Sequence, residues 1–539
     1  MYRNPKYLLL FVAWFISANA YTQTQPFEIA IEPISITDLE GVQSYAYGQD
    51  KGKWIIFGGR LDGLHQRQPF AAFKVAGHNT SLIVIDPITK KRWTAALTSL
   101  PAAIQEQLSS TNMQFYQEGD YLYCIGGYGY SSTKADHTTF ANLTAIKVSD
   151  VINAVVNKTS FTNYFRQITD TKFQVTGGRL KKMYDTYYLL GGQKFLGRYN
   201  PMGPNHGPGF TQAYTNSIYK FKLVDNGNTI QITHLPSYTD SVNLHRRDYN
   251  AESQILSNGQ EGITMFSGVF QQTVDLPFLN SVTIDSGSYA VNNTFEQHYN
   301  HYHCPVLPLY SAKTNEMHSV FFGGIAQFYD SLGILVQNDN VPFVNTIARV
   351  TRDVNSKLSE HKLPIVMPTL LGAGAEFIPN TKNAHYTNEV FKLDSLTDDT
   401  KMMGYIYGGI SSTQANIFFI NNGTQSSAGR QIFKVLLIKS KSTSIDKLNK
   451  TAASHLNLSI YPNPNEGLMN ISFYLKKKEN VTLSIYDSKG ALIEQSILTE
   501  VRAGHNNLLK ELKRIHVVGE CIVEIETSSG RMSRKVMVK

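Results

Sequence analysis

The chain is predicted to be all-β: a body of repeated short strands at residues 21–438, then a small C-terminal β-sandwich at 456–539. Three observations predict it. A short apolar run ending in two small residues recurs six times, at Gly58-Gly59, Gly126-Gly127, Gly191-Gly192, Ser267-Gly268, Gly323-Gly324 and Gly408-Gly409. The runs themselves, among them WIIF, YLYCI and YYLL, are short, β-branched and aromatic, as strands are. Charged residues make up only 17% of a chain that holds 30 tyrosines and 28 phenylalanines, a composition that favours strand over helix.

The first element is an export signal. Arg3 and Lys6 precede an apolar stretch from Tyr7 to Ile16, and Ala18-Asn19-Ala20 forms an A-x-A cleavage site, so residues 1–20 read as a secretory signal peptide. The apolar stretch is too short to span a bilayer, and no later stretch approaches that length. The mature chain is therefore expected to lack a transmembrane segment. The formal net charge of +8 is carried by the two ends. Residues 439–539 hold 16 lysines and arginines against 10 acids, whereas residues 21–438 hold 32 of each. A neutral body lacks the basic footprint that phosphate backbones require, so no nucleic-acid partner is expected. Cys124, Cys304 and Cys521 are too few for a disulfide framework.

The repeat explains the body. After the first Gly pair come a strand, Leu82 to Asp86, a Pro-Ile-Thr turn, and a further strand opening Lys91-Arg92-Trp93. Strand, Gly pair, loop, strand, turn and tryptophan strand together resemble the kelch repeat. That resemblance implies a six-bladed β-propeller at residues 21–438, each repeat being one four-stranded blade. This chain departs from the pattern in two respects. Trp93 alone occupies the outer-strand tryptophan position, and the intervals between Gly pairs are 68, 65, 76, 56 and 85 residues, against about 50 for a kelch repeat. The surplus follows the Gly pairs as long polar loops, which blade geometry gathers on one face, as binding faces often are. The sixth repeat offers Ile432 to Ile438 as a third strand and no fourth before the linker. The alternating segment Phe27 to Ile36 is expected to supply the missing outer strand and leave no free edge.

Residues 439–455 are polar and aperiodic, a linker. Beyond them stand LSIYPNPNEG, the strand-turn VTLSIYDSKG, and a basic last strand ending KVMVK. As a set these resemble the type A C-terminal sorting domain of type IX secretion. The resemblance implies the type IX machinery as a partner, removal of the tail, and release or attachment at the outer-membrane surface.

The richest polar clusters fall in the loops assigned to one face. They give as candidate ligand-binding residues Arg60, Asp62 and His65 after the first Gly pair; Arg198, Asn200 and His206 after the third; His245, Arg247 and Asp248 before the fourth repeat's strands; and Tyr329 after the fifth Gly pair. Arginine offers paired donors, aspartate accepts from hydroxyls and tyrosine offers a stacking face, which is what a sugar-like or carboxylated ligand needs. Such loops also brace themselves through turn hydrogen bonds, and both readings stand at this point. His298, His301 and His303 are candidate metal ligands. No other cofactor is expected, since the sequence holds no G-x-S-x-G, H-E-x-x-H or phosphate-cradling motif. The copper-radical oxidases among kelch propellers need a cysteine cross-linked to tyrosine. Only Cys304, beside His303, stands near such a group, and that activity is not carried over. A monomer that binds an extracellular glycan or protein is expected. The alternative is a carbohydrate-active enzyme, a sugar epimerase or mutarotase or an oxidase-like protein, using the same face.

Overall fold

The computed structural model of the protein describes residues 26–439 except 208 and 332, together with 456, 458–487, 491–512, 519–528 and 530–539. The signal peptide expected at 1–20, and the linker beyond residue 439 up to 455, lie outside the described residues. The chain divides into two compact units, one of Phe27–Lys439 and one containing Ser440–Lys539. Both are built of strands, as the composition predicts.

Six antiparallel sheets follow one another along the first unit, and each uses four strands. The first is Ala46–Asp50, Lys53–Phe57, Ser81–Asp86 and Lys91–Ala96, paired in chain order. The second runs from Gln114–Glu118 to Phe165–Thr169, the third from Arg179–Met183 to Ile230–Thr239, and the fourth from Asn250–Ile255 to Tyr289–Asn292. The fifth runs from Val306–Ser311 to Leu358–Val366 and gains a short parallel partner, Phe391–Lys392. The sixth comprises Ala375–Pro379, Thr400–Gly408, Ile432–Lys439 and, from the far end of the chain, Phe27–Ile34. Phe27 pairs with Lys439 and Ile34 with Ile432, and Phe27 and Ile29 are buried against Val435 and Leu437. The alternation of that N-terminal segment foretells this pairing.

The Gly pairs have a steric cause. Each ends the second strand of a sheet, where the second residue of the pair donates its N–H to a carbonyl on the segment leading into the next sheet. Gly59 reaches Ser110, Gly127 reaches Val175, Gly192 reaches Arg246, Gly268 reaches His301 and Gly324 reaches Leu371, at 2.7–3.2 Å. Gly409 of the sixth sheet reaches Val42, which leads into the first, at 2.8 Å. Gly126 shows why no larger residue fits. Its φ is +65°, and a Cβ there would lie 1.9 Å from the Val175 carbonyl oxygen.

Between neighbouring sheets lie apolar clusters. Tyr45, Trp54 and Ile83 of the first sheet's side meet Ile378, Tyr407 and Ile432 of the sixth. Two helices were not expected from the sequence, Ala102–Leu108 and Val148–Asn157. The second lays Val151, Ile152 and Val155 on Ile55, Phe57 and Leu122. Trp93, half-buried on the outer strand, packs on the same cluster.

The long insertions are ordered. Tyr128–Ser131, Asp136–Thr139, Gln193–Gly197 and Phe210–Tyr214 pair into a further sheet made wholly from the loops after the second and third Gly pairs. Phe328–Ser331 and Ile334–Gln337 form a hairpin after the fifth.

Among the described residues the second unit holds two antiparallel sheets. One joins Ser459–Tyr461, Leu468–Leu475 and Gly504–Glu511. The other joins Leu492–Val501, Glu479–Asp487, Gly519–Thr527 and Gly530–Val538. Both contribute to one core, with Ile471 and Phe473 from the first and Leu483, Val523 and Val536 from the second.

Candidate functional site

A cavity of about 770 Å³ lies within the first unit, at the side where the Gly pairs and their insertions emerge. All six sheets contribute to it. Arg60, His65 and Phe73 come from the loop of the first, Tyr128 from the second, and Tyr199 and Asn200 from the third. Phe270, Ile325 and Phe419 follow from the fourth, fifth and sixth. Segments leading into the sheets complete the wall, with Asn112, Arg247, Asp248 and His303 among them.

Arg60 reaches the wall with its guanidinium 5.0 Å over the Phe73 ring. Its Nε and Nη2 donate to Asp62 at 2.7 and 2.5 Å, and Nη2 also to the Lys74 carbonyl at 3.1 Å. His65 stacks on the other side of this aromatic group, 5.9 Å from Phe73 and 4.9 Å from Tyr199. Burial, aided by the charges of Arg247 and Arg60, pushes the His65 ring down to about 4, so it is neutral at ordinary pH. Tyr128 ties the wall together, donating to the Gly197 carbonyl at 2.7 Å and accepting the Tyr199 N–H at 2.8 Å. On the facing segment His245 lies on Tyr214, rings 3.7 Å apart, and Arg247 donates to Asp248 and to the Tyr214 hydroxyl. Asn112 donates to the other oxygen of Asp248 at 3.0 Å.

The floor is ionic. His303 Nε2 lies 2.8 Å from Glu376 Oε1, and Arg179 Nη1 lies 3.4 Å from the same oxygen. Burial pushes the Glu376 carboxyl up, but His303 and Arg179 outweigh it and hold it below the usual range. Glu376 and Arg179 line a second cavity of about 460 Å³, whose walls draw on the first strands of the sheets. Cys304 faces that second cavity and stays a free thiol, so it does not join the aromatic wall.

The structure thus brings together Arg60, His65, Asn200, His245, Arg247 and Asp248, and separates the other candidates from them. Asp62 is exposed behind Arg60 and serves as its counter-ion. Arg198 spends its fork on the Ala72 and Phe70 carbonyls, at 2.8 and 2.7 Å. His206 is exposed at the tip of its loop, and Tyr329 sits in the hairpin, opposite Val336. The three candidate metal ligands do not converge. His301 is fully buried, its Nε2 meeting the Gln297 carbonyl and its Nδ1 accepting the Gln327 N–H, which leaves no lone pair for a metal. His298 turns to Glu296 and Glu360, and His303 to Glu376. Among the described residues no group of three His, Cys, Asp or Glu is placed to hold a metal ion.

Several wall residues escape a reading of the sequence. Arg67 lies two residues beyond His65 in the same loop and could have been found by extending that cluster. Phe73 and Tyr214, and Glu376 behind the wall, carry no local signal, because the ring contacts and the ion pair that place them join residues remote in sequence.

Residues 459–539 match the family model of the secretion system C-terminal sorting domain. The second unit carries a sorting domain. The sorting domain addresses the chain to type IX secretion, and so to the cell surface or the medium. Its match begins at the Ser459–Tyr461 strand, and ends with the last residue of the chain. No helix among the described residues is long and apolar enough to cross a membrane. A comparison with curated proteins found no match. Among solved structures, the structure of YjhT is 12% identical, with 74% of this chain and 97% of that chain covered and a TM-score of 0.38. An exo-1,5-α-L-arabinanase from a bovine ruminal metagenomic library is 9% identical, with 75% and 95% covered and a TM-score of 0.26. An arabinoxylan arabinofuranohydrolase of glycoside hydrolase family 43 from Bacillus subtilis is 8% identical, with 93% and 95% covered and a TM-score of 0.27. Likeness of that degree carries no argument about chemistry.

Proposed function

We propose that Phe27–Lys439 is a six-bladed propeller of kelch type that binds an extracellular glycan in the cavity on its long-loop face, with the C-terminal sandwich as its export address. The hydrogen bonds that run from each Gly pair to the next sheet, and from the sixth sheet back to the first, support the ring. The observation that carries the function is the cavity itself. Side chains from all six sheets converge there, alternating aromatic faces with arginine, aspartate, histidine and amide groups. A pyranose presents the same alternation, C–H faces to stack and hydroxyls to exchange hydrogen bonds.

The test is a glycan array and calorimetry on the full chain, with Tyr199→Ala and Phe419→Ala. Phe419 is 66% exposed, so its loss does not touch the core. Each variant should weaken the array hits about tenfold, as loss of an aromatic anchor does, with little change in melting temperature for Phe419→Ala and a lower one for Tyr199→Ala, whose ring packs on His65, Phe73 and Phe210. Hits that survive both substitutions at full strength, or an empty array, would refute the reading.

One observation favours an enzyme acting on sugars instead. His303 lines the cavity with Glu376 behind it, 2.8 Å from its Nε2, and no hydrogen bond at Nδ1 among the described residues, an arrangement suited to passing a proton. Turnover of an array-selected sugar that is lost in His303→Gln while binding persists would establish it.

A further inference from the structure

The cavity wall balances its three arginines with three aspartates but distributes them unevenly. Arg60 is 2% exposed, and its Nη1 has no hydrogen-bond partner among the described residues, although Nε and Nη2 are well paired. An unpaired buried donor on a charged group is costly, and native structures rarely leave one without cause. Arg67, also in the wall, donates to the Pro201 carbonyl at 2.7 Å and lies 5.5 Å over Phe419, with no carboxylate partner among the described residues. Arg247 adds a third guanidinium, answered by Asp248. The wall's two acids without an arginine beside them, Asp275 and Asp339, come from loops of the fourth and fifth sheets.

These positions give the cavity a direction, with one cation lacking a carboxylate, Arg67, and one unpaired donor, Arg60 Nη1, on the aromatic side built from the first and third sheets. We propose that the cavity selects a saccharide bearing an anionic group, seated with that group on Arg60 Nη1 beside Phe73 and within the field of Arg67. A charge-assisted hydrogen bond to the ligand satisfies the donor that the protein leaves open. Phe73 then supports the guanidinium from below and excludes water from the pair. The inference rests on the cavity being the ligand site, and adds the charge of the ligand to it.

The probes are an oligogalacturonide, the same oligomer after reduction of its carboxylates to primary alcohols, and a sulfated galacto-oligosaccharide of equal length. Calorimetry on the full chain should show one or both anionic probes binding at least tenfold more tightly than the neutral one, with the advantage shrinking as salt rises. Arg60→Gln should bring the anionic and neutral probes to within about threefold. Because Arg60 is buried and paired with Asp62, Arg67→Gln serves as the second variant and should cut the anionic advantage without lowering stability. Neutral and anionic probes that bind alike, with array hits still lost in Tyr199→Ala, overturn the charge preference and leave the site standing. An array with no hits overturns both. An anionic preference that survives in both arginine variants places the charge recognition outside the cavity, the basic C-terminal unit included, and overturns the inference.

Discussion

At Glu360 the peptide N–H groups of His298 and Tyr299 converge on a carboxyl that burial nonetheless pushes up to about 8. An unfolded carboxyl of this kind ionises near 4.5. Between those values the folded chain holds a proton that the unfolded chain has released, so this group's contribution to stability falls as pH rises from about 4.5 to 8. His65 and His301 act the other way. Both are held near 4 by burial, against 6.5 when unfolded, so their contribution is complete above 6.5 and is lost as pH falls through 4. Glu360→Gln should therefore gain on the natural chain between pH 6 and 9 by about 1 kcal/mol or more, read from urea midpoints. Parallel midpoint curves for the two proteins would rule this out. Single residues are also where sequence reading reaches its limit. Arg60 and Arg198 each follow a Gly pair within a few residues and look equivalent. One leaves a donor open in the cavity wall, while the other is consumed by the Phe70 and Ala72 carbonyls. The difference depends on where the 69–73 loop folds back, which no local pattern records.

Strands and their junctions were far more legible. Where both residues are glycine the pairs carry their own explanation, since a positive φ and close backbone disfavour a side chain, and in the fourth sheet Ser267 takes the first position at a φ of +50°. Gly126→Ala, with the Val175 oxygen 1.9 Å from the added Cβ, should cost on the order of 1–3 kcal/mol or more, whereas Gly119→Ala has nothing within 4 Å and should cost only the strain of its φ of +56°. Thermal melts of the two variants side by side decide it, and equal losses would argue against the packing explanation. The helix Val148–Asn157 was hidden because Val148, Val151, Ile152 and Val155 are β-branched and suggest a strand. Packing on Ile55 and Phe57 overrides that preference. The sheet built from insertions was hidden for another reason. Its four strands come from two different loops, and only their meeting across the second and third sheets' ends makes them a sheet.

At the scale of the whole chain, the address and the cargo fall in separate compact units, and the address was legible because its strands and turns lie within one short stretch of sequence. The tail is expected to be removed after export. Mass spectrometry of protein recovered outside the cell should find a C-terminus before Leu456, and mature material still ending in Lys539 would contradict it. The pairing of Phe27–Ile34 with Ile432–Lys439 has a consequence for biosynthesis. The first strand of the unit must wait for the last strand of that unit before it has a partner, and residue 439 is followed directly by the segment that leads to the address. An interrupted chain, wherever it stops short of Ile432, leaves Phe27–Ile34 without its partner strand and also lacks the address. Completion of the cargo and possession of the export label therefore arrive together, so the order of synthesis itself withholds unfinished molecules from the outer membrane.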